Sequence, residues 1–216
     1  MPTWGVDNMD RLTELGLKYN TDKATGHGFT EFYYPYLEKY INPSILEIGI
    51  YDGASLKMWE EFYGNPSIIG VDILDKKQYD SQYTRTVIAD QKNPKDILEK
   101  CTALIPEYDI IIDDGSHMID HQISSFATLF PCLKSKGVYI IEDLHTSFLG
   151  KQYNPSGDPV TTYDFLYRIF KKFDVQTPFA DEKQISYLAE NFESAKIFQL
   201  HEKDFFHSIT SVIVKK

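Results

Sequence analysis

From residue 44 onward, short apolar runs alternate with stretches whose apolar residues recur at helical spacing, the pattern of a parallel sheet covered by helices. Ile45-Leu46-Glu47-Ile48-Gly49 is an apolar run closed by glycine and predicts the first strand. Leu56-Lys57-Met58-Trp59-Glu60-Glu61-Phe62 carries apolar residues on one helical face and predicts the helix that follows. Ser67-Ile68-Ile69-Gly70-Val71-Asp72 reads as a second strand ending on an acid, and residues 84–89 as a third. Pro94 opens a helix reaching about residue 103, proline being suited to a first helical position. Residues 108–114 are apolar on consecutive positions, as in a strand buried on both faces. A helix is predicted over 123–133 and a fifth strand over 137–143. Residues 149–160 hold two Pro and two Gly and predict a loop, followed by a helix over 163–173. Two closing strands, 196–200 and 208–214, flank the turn-prone His201-Glu202-Lys203-Asp204 as an antiparallel pair.

This describes one α/β domain over residues 44–216, preceded by an extension, 1–43, with a helix around 32–40. At 216 residues with 42% hydrophobic content the chain supports one sizeable core, and the extension is too short for a second. Its richness in Tyr, Phe and Ile excludes intrinsic disorder. The net charge of −10 argues against a nucleic-acid partner, since affinity there comes from Lys and Arg neutralising phosphates. No apolar run approaches the ~20 residues that span a bilayer. Residues 1–10 lack a basic region followed by an apolar stretch, so no secretory signal is read. Cys101 and Cys132 form neither a disulfide framework nor a metal-ligand spacing, and Cys132 reads as buried packing. A soluble chain of a reducing compartment, the cytoplasm, is the expectation.

In open parallel sheets, ligands bind beyond the carboxyl ends of the strands, so the residues ending each strand matter most. The first ends Glu47-Ile48-Gly49-Ile50-Tyr51-Asp52-Gly53-Ala54-Ser55, an E-x-G-x-x-x-G loop running into a helix. Its glycines permit a tight turn and close approach of backbone to ligand. Tyr51 stands where a dinucleotide fingerprint would have its second glycine. An acid in this loop, Glu47, repels a pyrophosphate but suits a ligand with an ammonium group. Asp72 is placed to accept hydrogen bonds from ribose hydroxyls, and Asp90-Gln91 to reach an adenine edge. Together these features favour S-adenosylmethionine.

Asp113-Asp114-Gly115-Ser116-His117 ends the fourth strand and Glu142-Asp143-Leu144-His145 the fifth. If the strands are neighbours, their ends lie roughly 5 Å apart and the carboxylates converge. Acids that close need a compensating cation. Neither motif contains Lys or Arg, which points to a divalent ion. All-oxygen ligands suit Mg²⁺, with Mn²⁺ or Ca²⁺ as substitutes. His117, three residues after Asp114, is the first candidate for a general base, with His145 and His121 as rivals. His201 and His207 carry no chemical suggestion.

At these residues the chain resembles the metal-dependent sugar O-methyltransferases of macrolide and rhamnoside tailoring, the macrocin O-methyltransferase-like group of class I S-adenosylmethionine enzymes. The stretches that carry the resemblance are LKYNTDK with His27, LEIGIYDGASLKMW, IIGVDI, IIDDGSH and LFPCLKSKGVYIIEDLHTSF. It implies a class I methyltransferase, Rossmann-like sheet, mostly parallel, with helices on both faces and a terminal antiparallel strand. It further implies a cofactor held by the Glu47–Gly53 loop with Gly49, Ser55, Asp72, Asp90 and Gln91, and with Asp113 beside it. The implied Mg²⁺ ligands are Asp114, Glu142 and Asp143, with Asp114 and His117 catalytic. The segment 18–23 with His27 is either a lid giving Lys23 or His27 to the site or a solvated loop.

The expected reaction is methyl transfer to a sugar hydroxyl, such as that of a rhamnose-like residue in a glycan, glycoside or nucleotide-sugar. Catechol or small-phenol O-methylation and a non-catalytic nucleotide-binding module are the alternatives. The residues 147–179 are expected to line the acceptor pocket, and the aromatic-rich stretch 29–40 offers a surface for a homo-oligomer.

Overall fold

The computed structural model describes residues 9–200 and 208–216. The turn read at His201-Glu202-Lys203-Asp204, together with His207, lies outside the described residues, as do residues 1–8 of the segment read for a leader.

A seven-stranded sheet has the order β3-β2-β1-β4-β5-β7-β6, with β1 (Ser44–Ile48), β2 (Ser67–Asp72), β3 (Thr84–Ile88), β4 (Tyr108–Asp113), β5 (Leu133–Ile141), β6 (Phe192–Leu200) and β7 (Ser208–Lys215). The first five pair in parallel, and β7 runs antiparallel to both β5 and β6. Neighbouring residues of β1 face opposite sides of the sheet, as strand geometry requires. Leu46 and Ile48 join one apolar cluster and Ile45 the other. The first cluster takes in Ile123 and Phe126 of α6 (Ile119–Leu129), Phe165 of α7 (Thr162–Lys171) and Leu188 of α8 (Glu182–Asn191). The second takes in Leu12 and Leu15 of α1 (Arg11–Tyr19), Tyr33 of α3 (Thr30–Leu37) and Trp59 of α4 (Ala54–Tyr63). Between α1 and α3 lies the single turn α2 (Asp22–Thr25), and α5 (Pro94–Thr102) follows β3.

The predicted strands and helices are present, but α1 and α2 were not predicted, β6 begins at Phe192 instead of residue 196, and three further differences concern α6, α8 and α3. The helix read over 123–133 spans Ile119–Leu129 instead and gives way to a 3₁₀ turn at Phe130–Cys132. Pro131 has no N–H for an α-helical bond, which ends the helix there. Residues 133–136 therefore belong to β5, which is longer than the apolar run predicted, and Cys132 is only partly buried. Helix α8 was not predicted. Its Asp181–Gln184 capping box is present and Ile185, Leu188 and Ala189 fall on one face, but the run is short and Leu188 is its one fully buried residue. The helix read around 32–40 begins at Thr30 and ends at Leu37.

Candidate active site

The register brings the carboxyl ends of β1, β4 and β5 side by side: Ile48 lies opposite Asp113, and Asp113 opposite Ile141. Beyond β1 the chain turns at Gly49 with φ of +82°, a conformation L side chains rarely adopt. A Cβ at Gly49 would stand 2.0 Å from the Asp114 carbonyl oxygen, so only glycine lets the β1 and β4 loops touch. His117 and Asp143 also have positive φ, of 59° and 55°. Left-handed backbone at non-glycine residues costs about 1–3 kcal/mol each and concentrates at functional sites.

Two cavities open above these loops. The larger, about 630 Å³, lies between the β1 loop and the segment 20–25, and includes Ser55, Asp72, Lys76, Asp114 and His117 in its wall. The smaller, about 200 Å³, includes Ile73, Ala89, Asp90 and Gln91. Gly49, Asp72 and Gly115 border both, so one elongated ligand passing Asp72 would fill the two. Asp72 accepts from the Leu74 N–H at 2.9 Å, which fixes its carboxylate at this junction. Gln91 is turned inward: its Nε2 donates to Asp113 Oδ1 at 2.7 Å, and its Oε1 accepts from the Ser116 N–H at 2.8 Å. Asp113 is buried behind this contact, and burial pushes its carboxyl up to about 7. Of the residues read as cofactor-binding, Gly49, Ser55, Asp72, Asp90 and Gln91 border the cavities, whereas Glu47 and Asp113 lie beneath them. Gly53 caps α4 with φ of +73°, packed against the Tyr79 ring.

Beside the larger cavity, Asp114, His117 and Asp143 offer ligand atoms within 4.8 Å of one another. His117 Nε2 is 3.4 Å from Asp143 Oδ2. On the other oxygen of Asp143 stand His145 at 3.8 Å and His27 at 4.0 Å, so three imidazoles surround this carboxylate. Burial holds the His145 imidazole below its usual value. His121 points elsewhere, its Nδ1 2.7 Å from Ser116 Oγ. Glu142 is buried and lies outside the Asp114–His117–Asp143 group.

A compensating cation within the acid cluster is a lysine from outside both acidic motifs, where the sequence pointed only to a divalent ion. Lys23 of α2 is 1% exposed; its Nζ donates to Asp114 Oδ2 and stands 3.1 Å from Glu142 Oε1 and 3.4 Å from Glu47 Oε1. Glu47 also accepts from Trp59 Nε1 at 3.1 Å. Burial raises the carboxyl groups of Glu47, Asp114 and Glu142, while Lys23 pulls each back down. The Lys23 ammonium is held well above its usual value by those acids, against the cost of its own burial. His27 is fixed by Ser208, Nδ1 to Oγ 2.7 Å, so β7 anchors the far end of the same segment. The segment is therefore not a solvated loop.

The sheet order, its one reversed strand and a ligand cavity over the ends of β1 and β2 define the class I methyltransferase fold. MycE Methyltransferase from the Mycinamycin Biosynthetic Pathway, solved with Mg and SAH, shares this fold at a TM-score of 0.75 and 28% identity, over 96% of this chain and 55% of that one. A further structure of that protein holds Mycinamycin VI besides Mg and SAH. Among relatives by sequence, the chain is 40% identical over 147 residues to demethylmacrocin O-methyltransferase of Streptomyces fradiae, covering 63% of this chain and 37% of that protein. It is 36% identical over 146 residues to 8-demethyl-8-alpha-L-rhamnosyl tetracenomycin-C 2'-O-methyltransferase of Streptomyces olivaceus, covering 63% and 38%. The chain thus spans well under half the length of these relatives. No protein-family model matches it. None of the described helices is long and apolar enough to cross a membrane.

Proposed function

We propose that the chain is a divalent-metal-dependent O-methyltransferase acting from S-adenosylmethionine on a sugar hydroxyl of a glycan, glycoside or nucleotide-sugar. The observation that carries this reading is the convergence of Asp114, His117 and Asp143 at the wall of a two-part cavity built around Asp72.

The donors fit the groups implied. Asp72 suits the ribose, the smaller cavity with Asp90 and Gln91 the adenine, and the larger cavity the amino-acid arm and the acceptor. Asp143 Oδ1 is buried without a hydrogen-bond donor, as an oxygen kept for a cation would be, whereas Glu142 Oε1 faces the Lys23 ammonium at 3.1 Å. Asp114 and Asp143 would hold Mg²⁺, with Glu142 supporting from the Lys23 side; hard oxygen donors suit that ion. When bound, the cofactor supplies an electrophilic methyl and the ion supplies charge stabilisation for the acceptor oxygen.

The chain's own residues do the rest. His117 Nε2 takes the hydroxyl proton, and Asp143, 3.4 Å away, stabilises the resulting imidazolium. The left-handed backbone at both residues fixes their mutual aim. Phe148, 63% exposed and 5.4 Å from the Tyr163 ring, closes the helical turn that follows Asp143, but no residue of 147–179, the stretch expected to line the acceptor pocket, borders either cavity. The segment within 1–43 that carries Lys23 walls the cofactor in as part of the site, ahead of the domain at 44–216. A cytoplasmic location, a small-molecule or glycan acceptor and the absence of a nucleic-acid partner belong to the same proposal.

The test is transfer of labelled methyl from S-adenosylmethionine to a panel of rhamnosides and dihydroxybenzenes with Mg²⁺. Transfer to rhamnosides that is lost in His117→Ala and Asp114→Asn is the expected result. Transfer confined to dihydroxybenzenes would move the reading to a phenol acceptor. No transfer to any acceptor, with His117→Ala unchanged in every binding property, would favour a non-catalytic module.

A further inference from the structure

Among the described residues, Lys23 is the one buried ammonium that touches the ends of three strands. Glu47 belongs to β1, Asp114 follows β4 and Glu142 follows β5, and all three carboxylates reach its Nζ. A buried lysine is tolerated only where opposite charges replace its water, and removing one member of such a set leaves the others uncompensated. The residues flanking Lys23 have a second role: Asn20, Thr21, Asp22 and Thr25 line the larger cavity. Lys23 ties this wall directly to the acids, whereas α2 is only four residues long and its backbone hydrogen bonds are local. Asp114 is shared, its Oδ2 accepting from Lys23 Nζ while the residue belongs to the group with His117 and Asp143.

We propose that Lys23 is the positioning residue that couples the two halves of the site. Its ammonium is the permanent counter-cation of Glu47 and Glu142, keeps Asp114 turned towards the metal-binding group, and pins the 20–25 wall over the cofactor. This rests on the functional reading above and adds a role for the N-terminal segment: the acids are oriented before any divalent ion arrives. The ion then needs to balance only the outer carboxylates, Asp114 and Asp143.

The experiment compares wild type, Lys23→Met, Glu142→Gln and the double variant Lys23→Met/Glu142→Gln. Thermal unfolding is followed in EDTA and in saturating Mg²⁺, and S-adenosylhomocysteine affinity is measured by calorimetry. Breaking a buried charge set predicts that Lys23→Met lowers Tm in EDTA by about 10 °C. Mg²⁺ should return several degrees of that loss, a larger rise than in wild type, because the ion replaces a missing cation. Affinity for S-adenosylhomocysteine should fall at least tenfold. The double variant should recover part of the Tm in EDTA but none of the cofactor affinity, since charge balance returns and the pinned wall does not. A Lys23→Met protein with wild-type affinity and a wild-type response to Mg²⁺ would overturn the proposal, as would a double variant that loses the sum of the single effects. If wild type binds no S-adenosylhomocysteine, the functional reading fails first and the coupling with it; if it binds and Lys23→Met binds equally well, only the role of Lys23 fails.

Discussion

Replacing Gly49 by alanine probes the contact on which the loop after β1 depends. The added Cβ would meet the Asp114 carbonyl oxygen at 2.0 Å, its carbon at 2.7 Å and the Gly115 Cα at 2.9 Å. All three atoms are backbone, so no side chain can swing away, and the β1 and β4 loops must separate. The φ of +82° adds a conformational penalty for any L residue. That penalty is about 1–2 kcal/mol and overpacking adds about 1–3 kcal/mol, a total of about 2–5 kcal/mol. For a chain of this size the loss corresponds to a Tm lower by about 5–15 °C. Gly64→Ala is the control, because Gly64 has φ of +73° with nothing within 4 Å of its added Cβ. Only the conformational penalty applies there. Thermal unfolding and calorimetric titration with S-adenosylhomocysteine read the outcome: Gly49→Ala should also lose at least tenfold in affinity, and Gly64→Ala should bind normally. Equal Tm losses in the two variants, with cofactor affinity kept in both, would refute the contact argument.

Asp72→Ala should weaken S-adenosylhomocysteine at least tenfold in calorimetry while leaving Mg²⁺ binding in place, since Asp72 borders both cavities but lies outside the Asp114–His117–Asp143 group. Gln91→Leu strips Asp113 and the Ser116 N–H of their shared partner. Asp113 is buried, and leaving its carboxyl unpaired costs about 1–3 kcal/mol, to be read from denaturant unfolding. Burial pushes the Cys101 thiol up to about 12, so thiolate is scarce at pH 8 and iodoacetamide should modify Cys101 only after denaturation. Rapid alkylation of the native protein at that residue, seen by mass spectrometry, would contradict its burial.

The sheet was legible because its inner strands carry short apolar runs, such as Ile110-Ile111-Ile112, closed by an acid or a glycine, although β3 is largely polar. The same punctuation marked the strand ends, and hence Asp72, Asp114, His117 and Asp143. Helix α8 escaped because only Leu188 is fully buried in it, and a capping box alone does not separate a helix start from a turn. The role of Lys23 escaped for a different reason. It lies 91 residues from Asp114, on a four-residue helix with no apolar period, and only the packing of α1 and α3 on the sheet delivers it to the acids. The unusual Asn-Thr-Asp-Lys stretch was a signal without a direction. Glu47 shows the converse: its place in the glycine loop suggested a contact with the cofactor's ammonium, but its carboxylate faces Lys23 and Trp59 below the cavity floor.

The central claim is that a divalent ion binds between the β4 and β5 loops beside the cofactor. Calorimetric titration of Mg²⁺ into protein saturated with S-adenosylhomocysteine, wild type against Asp114→Asn, tests it without knowledge of the acceptor. Saturable binding of one ion in wild type, absent in Asp114→Asn while S-adenosylhomocysteine still binds, is the predicted result. Mg²⁺ binding of equal strength in both proteins would place the ion elsewhere and contradict the account.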